Sequence, residues 1–327
     1  MTHADLDPEM AAAVAEIDAL GVPSWHSLAT ADARRVEDEL FSTDAHLPVA
    51  RVTDLGFAGP GGRVPVRVYR PDETPAPTLV FCHGGGWQLG TLDSADGICR
   101  RLCRRLDAVI VSVDYRLAPE HPFPAAVADA VAAVEWVESV ASDLGGDGRI
   151  GVAGTSAGGN LAAAVALAAA ADRAFGFDLD VDLAVQALFY PMLTPDFEGA
   201  SRRMHADGPL LTTRDVHEFW RTYLDGPAHA ANPYAVPLGA DEATLSGVAP
   251  AVVAVGGHDP LRSEAVAYAH RLRNAGAVVD SIVAEELPHG FLSFADDASE
   301  GQTGVAAADR AFDAVARDVA SRLTDAG

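Results

Sequence analysis

The sequence predicts an α/β fold, with a mostly parallel central sheet covered by helices on both faces and a helical cap. Three observations carry this. Near-continuous apolar stretches of strand length, such as "AVIVSV" and "LAVQALFYP", are separated by helical patterns, as expected of strands buried on both faces. A sharp strand–turn–helix signal occurs at "GVAGTSAGGN". A hairpin signal precedes the alternation, which places antiparallel strands at one edge of the sheet.

Taken in order, the chain opens with helical periodicity. Met10, Val14, Ile17 and Leu20 recur at helical spacing, and Val36, Leu40 and Phe41 mark a second apolar face. "RVTDLGFAG" and "GRVPVRVYRP" then read as two strands joined at the glycine turn "GPGG". "PTLVFCH" is a strand followed by a helix over Ser94 to Leu106, and "AVIVSV" a strand followed by a helix over Pro124 to Ser142. "GRIGVAG" leads into an Ala-rich helix from Ala157 to Arg173, and "LAVQALFYP" is the next strand. From Pro191 to about Pro250 no sheet strand is evident. This interval holds the amphipathic, aromatic "RDVHEFWRTYL" and has the size of a lid insertion. "PAVVAVGG", a helix over Leu261 to Ala275, "VVDSIVAEE" and a last helix with Val305, Phe312, Val315, Val319 and Leu323 on one face complete the pattern. The expectation is one domain over 1–327, capped by about 1–48 and about 192–245.

Composition removes several functions. The 327 residues carry 47 Asp+Glu against 23 Lys+Arg, a formal net charge of −24, and every basic residue is Arg. Such a chain lacks the basic footprint that nucleic acid or an anionic membrane surface needs. With no Lys there is no P-loop, Schiff base or Ser-Lys dyad. Self-repulsion at this charge opposes compaction unless salt screens it. A salt-rich cytoplasm is therefore one reading, and a GC-rich genome that favours Ala, Asp and Arg is the other. No apolar run approaches membrane-spanning length, and "MTHADLDPEM" has no basic-then-apolar leader pattern, so a soluble, cytoplasmic protein is expected. Cys82, Cys99 and Cys103 lack metal-like spacing and read as buried thiols. No metal or cofactor is expected.

The chemistry concentrates at three places. Gly154-Thr155-Ser156-Ala157-Gly158 fits G-x-S-x-G directly after a strand and before a helix, the context of a nucleophile elbow. There the Ser156 hydroxyl and the Ala157 N–H lie at a helix N-terminus, where the field favours negative charge. A serine hydroxyl needs a base. His289 in "ELPHGF" follows the last sheet strand, at the same carboxyl edge as Ser156. A carboxylate must orient that base. Asp259 follows "AVVAVGGH" one strand earlier, with Glu285 and Glu286 as alternatives. The order Ser156, Asp259, His289 suits an α/β-hydrolase.

With these in place, the chain resembles the hormone-sensitive lipase family of α/β-hydrolases, in its microbial esterase branch. The likeness runs from about Asp54 to the end through "HGGGW", "SVDYRLAPEHPFPAA", "GTSAGGNLA", "FYP", "GGHDPLRSEA" and "LPHGF". It implies a triad of Ser156, Asp259 and His289 and an oxyanion hole from Gly84, Gly85 and Gly86 of the "HGGG" turn with Ala157. It also implies carboxylic esters of short or medium acyl length as small-molecule substrates. Trp87 is expected at the substrate pocket, with a core-facing aromatic as the alternative. His83 is read as a loop brace, Arg116 and Glu120 as a structural pair, and Asn160 as structural. An amidase, deacetylase or thioesterase with the same triad, and a non-catalytic receptor of the same fold, are the alternatives. A homodimer is compatible with the sequence.

Overall fold

The computed structural model describes residues 5–42, 47–170, 176–177, 179–295 and 304–325. In chain order the elements are α1 (Pro8–Ala19), α2 (Thr30–Phe41), β1 (Arg51–Gly59), β2 (Gly62–Arg70), β3 (Ala76–Cys82), α3 (Asp96–Leu106), β4 (Val109–Val113), α4 (Ala125–Leu144), β5 (Gly146–Thr155), α5 (Ala157–Ala170) and β6 (Leu183–Phe189). Then come α6 (Ala200–Met204), α7 (Thr213–Tyr223), α8 (Pro227–Ala230), α9 (Glu242–Leu245), β7 (Ala251–His258), α10 (Arg262–Asn274), β8 (Val279–Pro288) and α11 (Ala306–Asp325). Residues 171–173 of the expected Ala-rich helix lie outside the described residues.

The eight strands form one sheet in the order β1-β2-β4-β3-β5-β6-β7-β8. The β1–β2 hairpin is antiparallel and β2 joins β4 antiparallel, whereas β4, β3, β5, β6, β7 and β8 run parallel. The hairpin therefore caps one edge, as its glycine turn predicted. Burial follows position. β6 is buried at every residue, while edge strand β1 is mostly half-buried or exposed.

Helices cover both faces. α3 and α11 pack together on one side, and α4, α5 and α10 lie on the other. Val305, Phe312, Val315, Val319 and Leu323 are all buried under α11, as their spacing predicted. α5 is apolar all round, with every residue from Ala157 to Ala168 buried, which is what a helix enclosed by β5, β6 and α4 requires.

Parallel strands end at one edge. The turns after β3, β5, β6, β7 and β8 thus lie side by side, and the segments outside the sheet cover them. Residues 190–250 contain α6 to α9 and no strand. Asn160 in α5 anchors this segment by donating to the carbonyls of Met192 and Ala235, both at 2.9 Å. Arg202 in α6 donates to Glu264 in α10 at 2.6 Å, with both side chains almost wholly buried. Glu264 also accepts from the Leu193 N–H at 2.7 Å. The N-terminal segment is tied to α7 in turn. Thr212 and Asp215 form a capping box, and Asp215 also accepts from His26 through its N–H and Nδ1, each at 2.8 Å.

The sequence expectation of an Arg116–Glu120 pair is corrected. Arg116 forks onto Asp129 at 2.8 and 2.9 Å, and Glu120 pairs with Arg34 of α2. Residues 116–124 form a proline-rich turn and not a helix, so a spacing of four does not bring two side chains together. Asp129 is fully buried and needs the cation.

The Arg202–Glu264 pair yields a stability prediction. Removing one partner of a buried pair strands the other charge and typically costs about 3–5 kcal/mol. Arg202→Met is expected to lose stability on that order in urea unfolding, and a loss under about 1 kcal/mol would show that the pair contributes little.

Candidate active site

Ser156 sits on the turn between β5 and α5 with φ +53, in the left-handed region that non-glycine residues rarely adopt. Three hydrogen bonds hold it there. Its N–H donates to Phe189 at 2.8 Å, and its carbonyl accepts from Asn160 and Met192, each at 3.2 Å. The two flanking glycines are needed because backbones touch here. A Cβ on Gly154 would overlap the Gly158 carbonyl, and one on Gly158 would overlap the Cys82 and His83 carbonyls.

From Ser156 a line of hydrogen bonds runs along the sheet edge. The Ser156 hydroxyl lies 3.0 Å from His289 Nε2, and His289 Nδ1 lies 2.8 Å from Asp259 Oδ2. A carboxylate only accepts, so Nδ1 donates to it and Nε2 is left to accept the serine proton. Asp259 is fully buried, and its other oxygen accepts from the Leu261 N–H at 2.7 Å. That second bond fixes the carboxylate in the turn that leads into α10. Glu285 instead pairs with Arg262, and His258 faces Asp5 and His205.

The "HGGGW" turn faces the same point. Gly85 and Gly86 have φ +104 and +59. The Gly85 carbonyl closes the turn by accepting from Gln88 at 3.0 Å and Leu89 at 2.8 Å. The N–H groups of Gly85, Gly86 and Ala157 donate to no acceptor among the described residues. A side chain has no room at Gly85, where Cβ would strike the Leu89 carbonyl, or at Gly86, where it would strike the Phe219 ring. Gly84 lines the cavity and its carbonyl accepts from His83 Nδ1 at 2.8 Å. Burial pulls His83 down to about 4, which keeps it neutral near pH 7. It stacks on Tyr115 at 4.3 Å, and the Tyr115 hydroxyl donates to the His83 carbonyl at 2.8 Å. His83 therefore braces the loop.

Above the turn lies a cavity of about 410 Å³. Ser156, His289 and the three glycines form its floor, while Ile17, Leu40 and Phe41 from the N-terminal helices and Leu210, Leu211 and Phe219 from the insertion wall it. The expectation for Trp87 is corrected to its alternative. Trp87 is fully buried behind this cavity, stacked on Tyr223 at 3.9 Å and tilted against Trp220 at 4.6 Å. It is absent from the cavity lining.

Sequence reasoning assigned no role to Tyr190, although "FYP" was noted. Tyr190 lines the cavity, has φ +40 and meets the His289 ring edge-on at 4.8 Å. It also passed over Glu37, a cavity-lining residue of α2. Burial, opposed by bonds from Ser94 and Gly90, pushes the Glu37 carboxyl up to about 7. The folded chain then holds a proton that the unfolded chain releases between about pH 4.5 and 7, so stability falls as pH rises through that window. Glu37→Gln is expected to flatten this fall when urea midpoints at about pH 5 and about pH 8 are compared. An unchanged slope would contradict it.

Comparison with known proteins agrees with this geometry. A family model described as alpha/beta hydrolase fold matches residues 79–293. Carboxylic ester hydrolase LipN of Mycobacterium tuberculosis is 45% identical over 280 residues, covering 80% of this chain and 73% of LipN. Ethyl acetate hydrolase of Pseudomonas putida is 34% identical over 312 residues, covering 90% of this chain and 96% of its own. The hyperthermophilic esterase of the archaeon Pyrobaculum calidifontis superposes with a TM-score of 0.84 at 36% identity, over 97% of this chain and 98% of that one. Strand order, the G-x-S-x-G elbow and these matches together make the chain a member of the α/β-hydrolase superfamily, in its hormone-sensitive-lipase-like esterase branch.

Proposed function

We propose that this protein is a serine carboxylic ester hydrolase that works through an acyl-enzyme. The observation that carries the reading is the unbroken Asp259–His289–Ser156 hydrogen-bond line, which ends on the floor of a cavity beside free backbone N–H groups. In the reaction, Ser156 Oγ attacks the ester carbonyl while His289 Nε2 takes its proton. Asp259 holds the tautomer and stabilises the imidazolium. The carbonyl oxygen becomes an oxyanion beside Gly85, Gly86 and Ala157, whose N–H groups and helix N-terminus favour negative charge. Gly84, at the base of the turn, completes the hole's lining. His289 then protonates the departing alcohol. Water, deprotonated by the same imidazole, releases the acid and restores Ser156.

Residues 1–48 and 192–245 act as the cap in this reading, of which 1–4 and 43–46 lie outside the described residues. Their apolar walls and the modest cavity volume support short- to medium-chain acyl groups. The acid excess of the chain supports a salt-requiring protein in a salt-rich cytoplasm. Among the described residues no helix is long and apolar enough to cross a membrane.

Three outcomes follow from this reading. p-Nitrophenyl esters of rising chain length are expected to show kcat/KM highest at short and medium lengths and falling beyond, and a matched amide and thioester should be slower. A flat or rising profile would contradict the acyl pocket. The same panel at low and high salt is expected to show activity and structure lost at low salt; full stability without added salt would remove the halophilic reading. Gly85→Val, which must distort the turn, is expected to lower turnover about 10²–10³-fold or more while far-UV circular dichroism shows the sheet and helices retained. Retained activity in that variant would refute the assigned hole.

A further inference from the structure

One face of α2 grips the outer half of the glycine turn. Arg34, Glu37 and Asp38 stand at i, i+3 and i+4, so their side chains share a face. Arg34 uses its whole fork. Nε donates to the Gln88 carbonyl at 2.8 Å, and Nη2 to the Ala118 carbonyl at 3.0 Å. Nη1 and Nη2 also hold Glu120, at 2.9 and 2.7 Å. Glu37 stands partly buried beside this grip, lining the cavity next to Ser94. Asp38 accepts from the Thr91 hydroxyl at 2.9 Å. The next segment joins the same junction, because the Ala118 N–H donates to the Trp87 carbonyl at 2.8 Å.

This grip bears on the free N–H groups. Gln88 is fixed at both ends, its N–H on the Gly85 carbonyl and its carbonyl on Arg34. Four of the six residues from Gly85 to Gly90 have positive φ, including the non-glycine Trp87. Backbone of this kind persists only where its surroundings over-determine it. The inner half of the turn, which presents the Gly85 and Gly86 N–H groups, has the core contacts of His83 and Tyr115 behind it. The outer half is held by the buried Trp87 ring and the Ala118 N–H on one side and by α2 on the other.

We infer that Arg34, supported by Asp38, is a positioning residue for the oxyanion donors, so that the N-terminal helix α2 sets the rate of ester attack as well as walling the cavity. This rests on the esterase reading above. A guanidinium suits the task because three acceptors on two backbone segments and a carboxylate need a planar fork. A small rotation of the Gln88 peptide carries Gly85 with it, and donors misplaced by about 1 Å can cost on the order of 10²-fold in rate.

The test is kinetic, on the full chain with p-nitrophenyl acetate and a trifluoromethyl ketone, which forms a tetrahedral oxyanion adduct with serine. Arg34→Met is expected to lower kcat by about tenfold or more with KM within about twofold, and to weaken the ketone by the same factor as kcat/KM. Arg34→Lys, which keeps the charge but loses the fork, is expected to behave like Arg34→Met. Arg35→Met, whose partners Asp32 and Glu39 lie on the surface of the same helix, is expected to match wild type. Should Arg34→Met fail to fold, Asp38→Ala decides, with the same split between kcat and KM at smaller size. A folded variant with kcat within about twofold of wild type, or one that raises KM alone, overturns the inference. Wild-type turnover of the acetate judges the esterase reading itself, whereas the variant-to-wild-type ratio of ketone affinity judges α2.

Discussion

The site depends on a close backbone contact. The turn from β5 into α5 passes so near the end of β3 that neither Gly154 nor Gly158 has space for a Cβ. That contact brings the "HGGG" turn beside Ser156, and it forces the serine into its positive-φ conformation. The parallel sheet does the rest, because strands β7 and β8 end at the same edge and deliver Asp259 and His289 in line. In the proposed mechanism the fold thereby supplies nucleophile, base, orienting acid and oxyanion donors from four strand ends.

The overlying segments contribute a different quantity. Their side chains enclose the cavity, and they share the hydrophobic core with the sheet layer, through Val216, Trp220 and Tyr223 among others, with a few polar pins added. Arg202 with Glu264, Asn160 with the Met192 and Ala235 carbonyls, and Arg34 with the turn are those pins, and His26 with Asp215 ties the two overlying segments to each other. Each buried charge among them is paired, as burial requires.

Most of the fold was legible in the sequence. Alternation of apolar strands with helices gave the strand succession, and the "GPGG" turn gave the hairpin of Arg51–Gly59 and Gly62–Arg70 to within one residue. These features are local, so periodicity reports them. Ser156, Asp259 and His289 were legible because each follows a strand directly, and their meeting within hydrogen-bond reach matches that reading. What escaped was set by distant partners. Arg34 reaches residues more than fifty positions away in the chain, and no local pattern announces that. Glu120 was paired with the neighbour at helical spacing, but a proline-rich turn sent it to Arg34 instead. Trp87 was left between the pocket and a core-facing position, and its ring stacks on Tyr223 of α7 because a partner far along the chain takes it.

The central claim is that Ser156 becomes acylated through this geometry. Its most direct measurement is intact-protein and peptide mass spectrometry after brief mixing with p-nitrophenyl acetate and an acid quench. The account predicts an acetyl group on Ser156 in the wild type, and none in Ser156→Ala, which should also release no p-nitrophenol above background. An acetyl group on any other residue, or ester cleavage undiminished in Ser156→Ala, would contradict it.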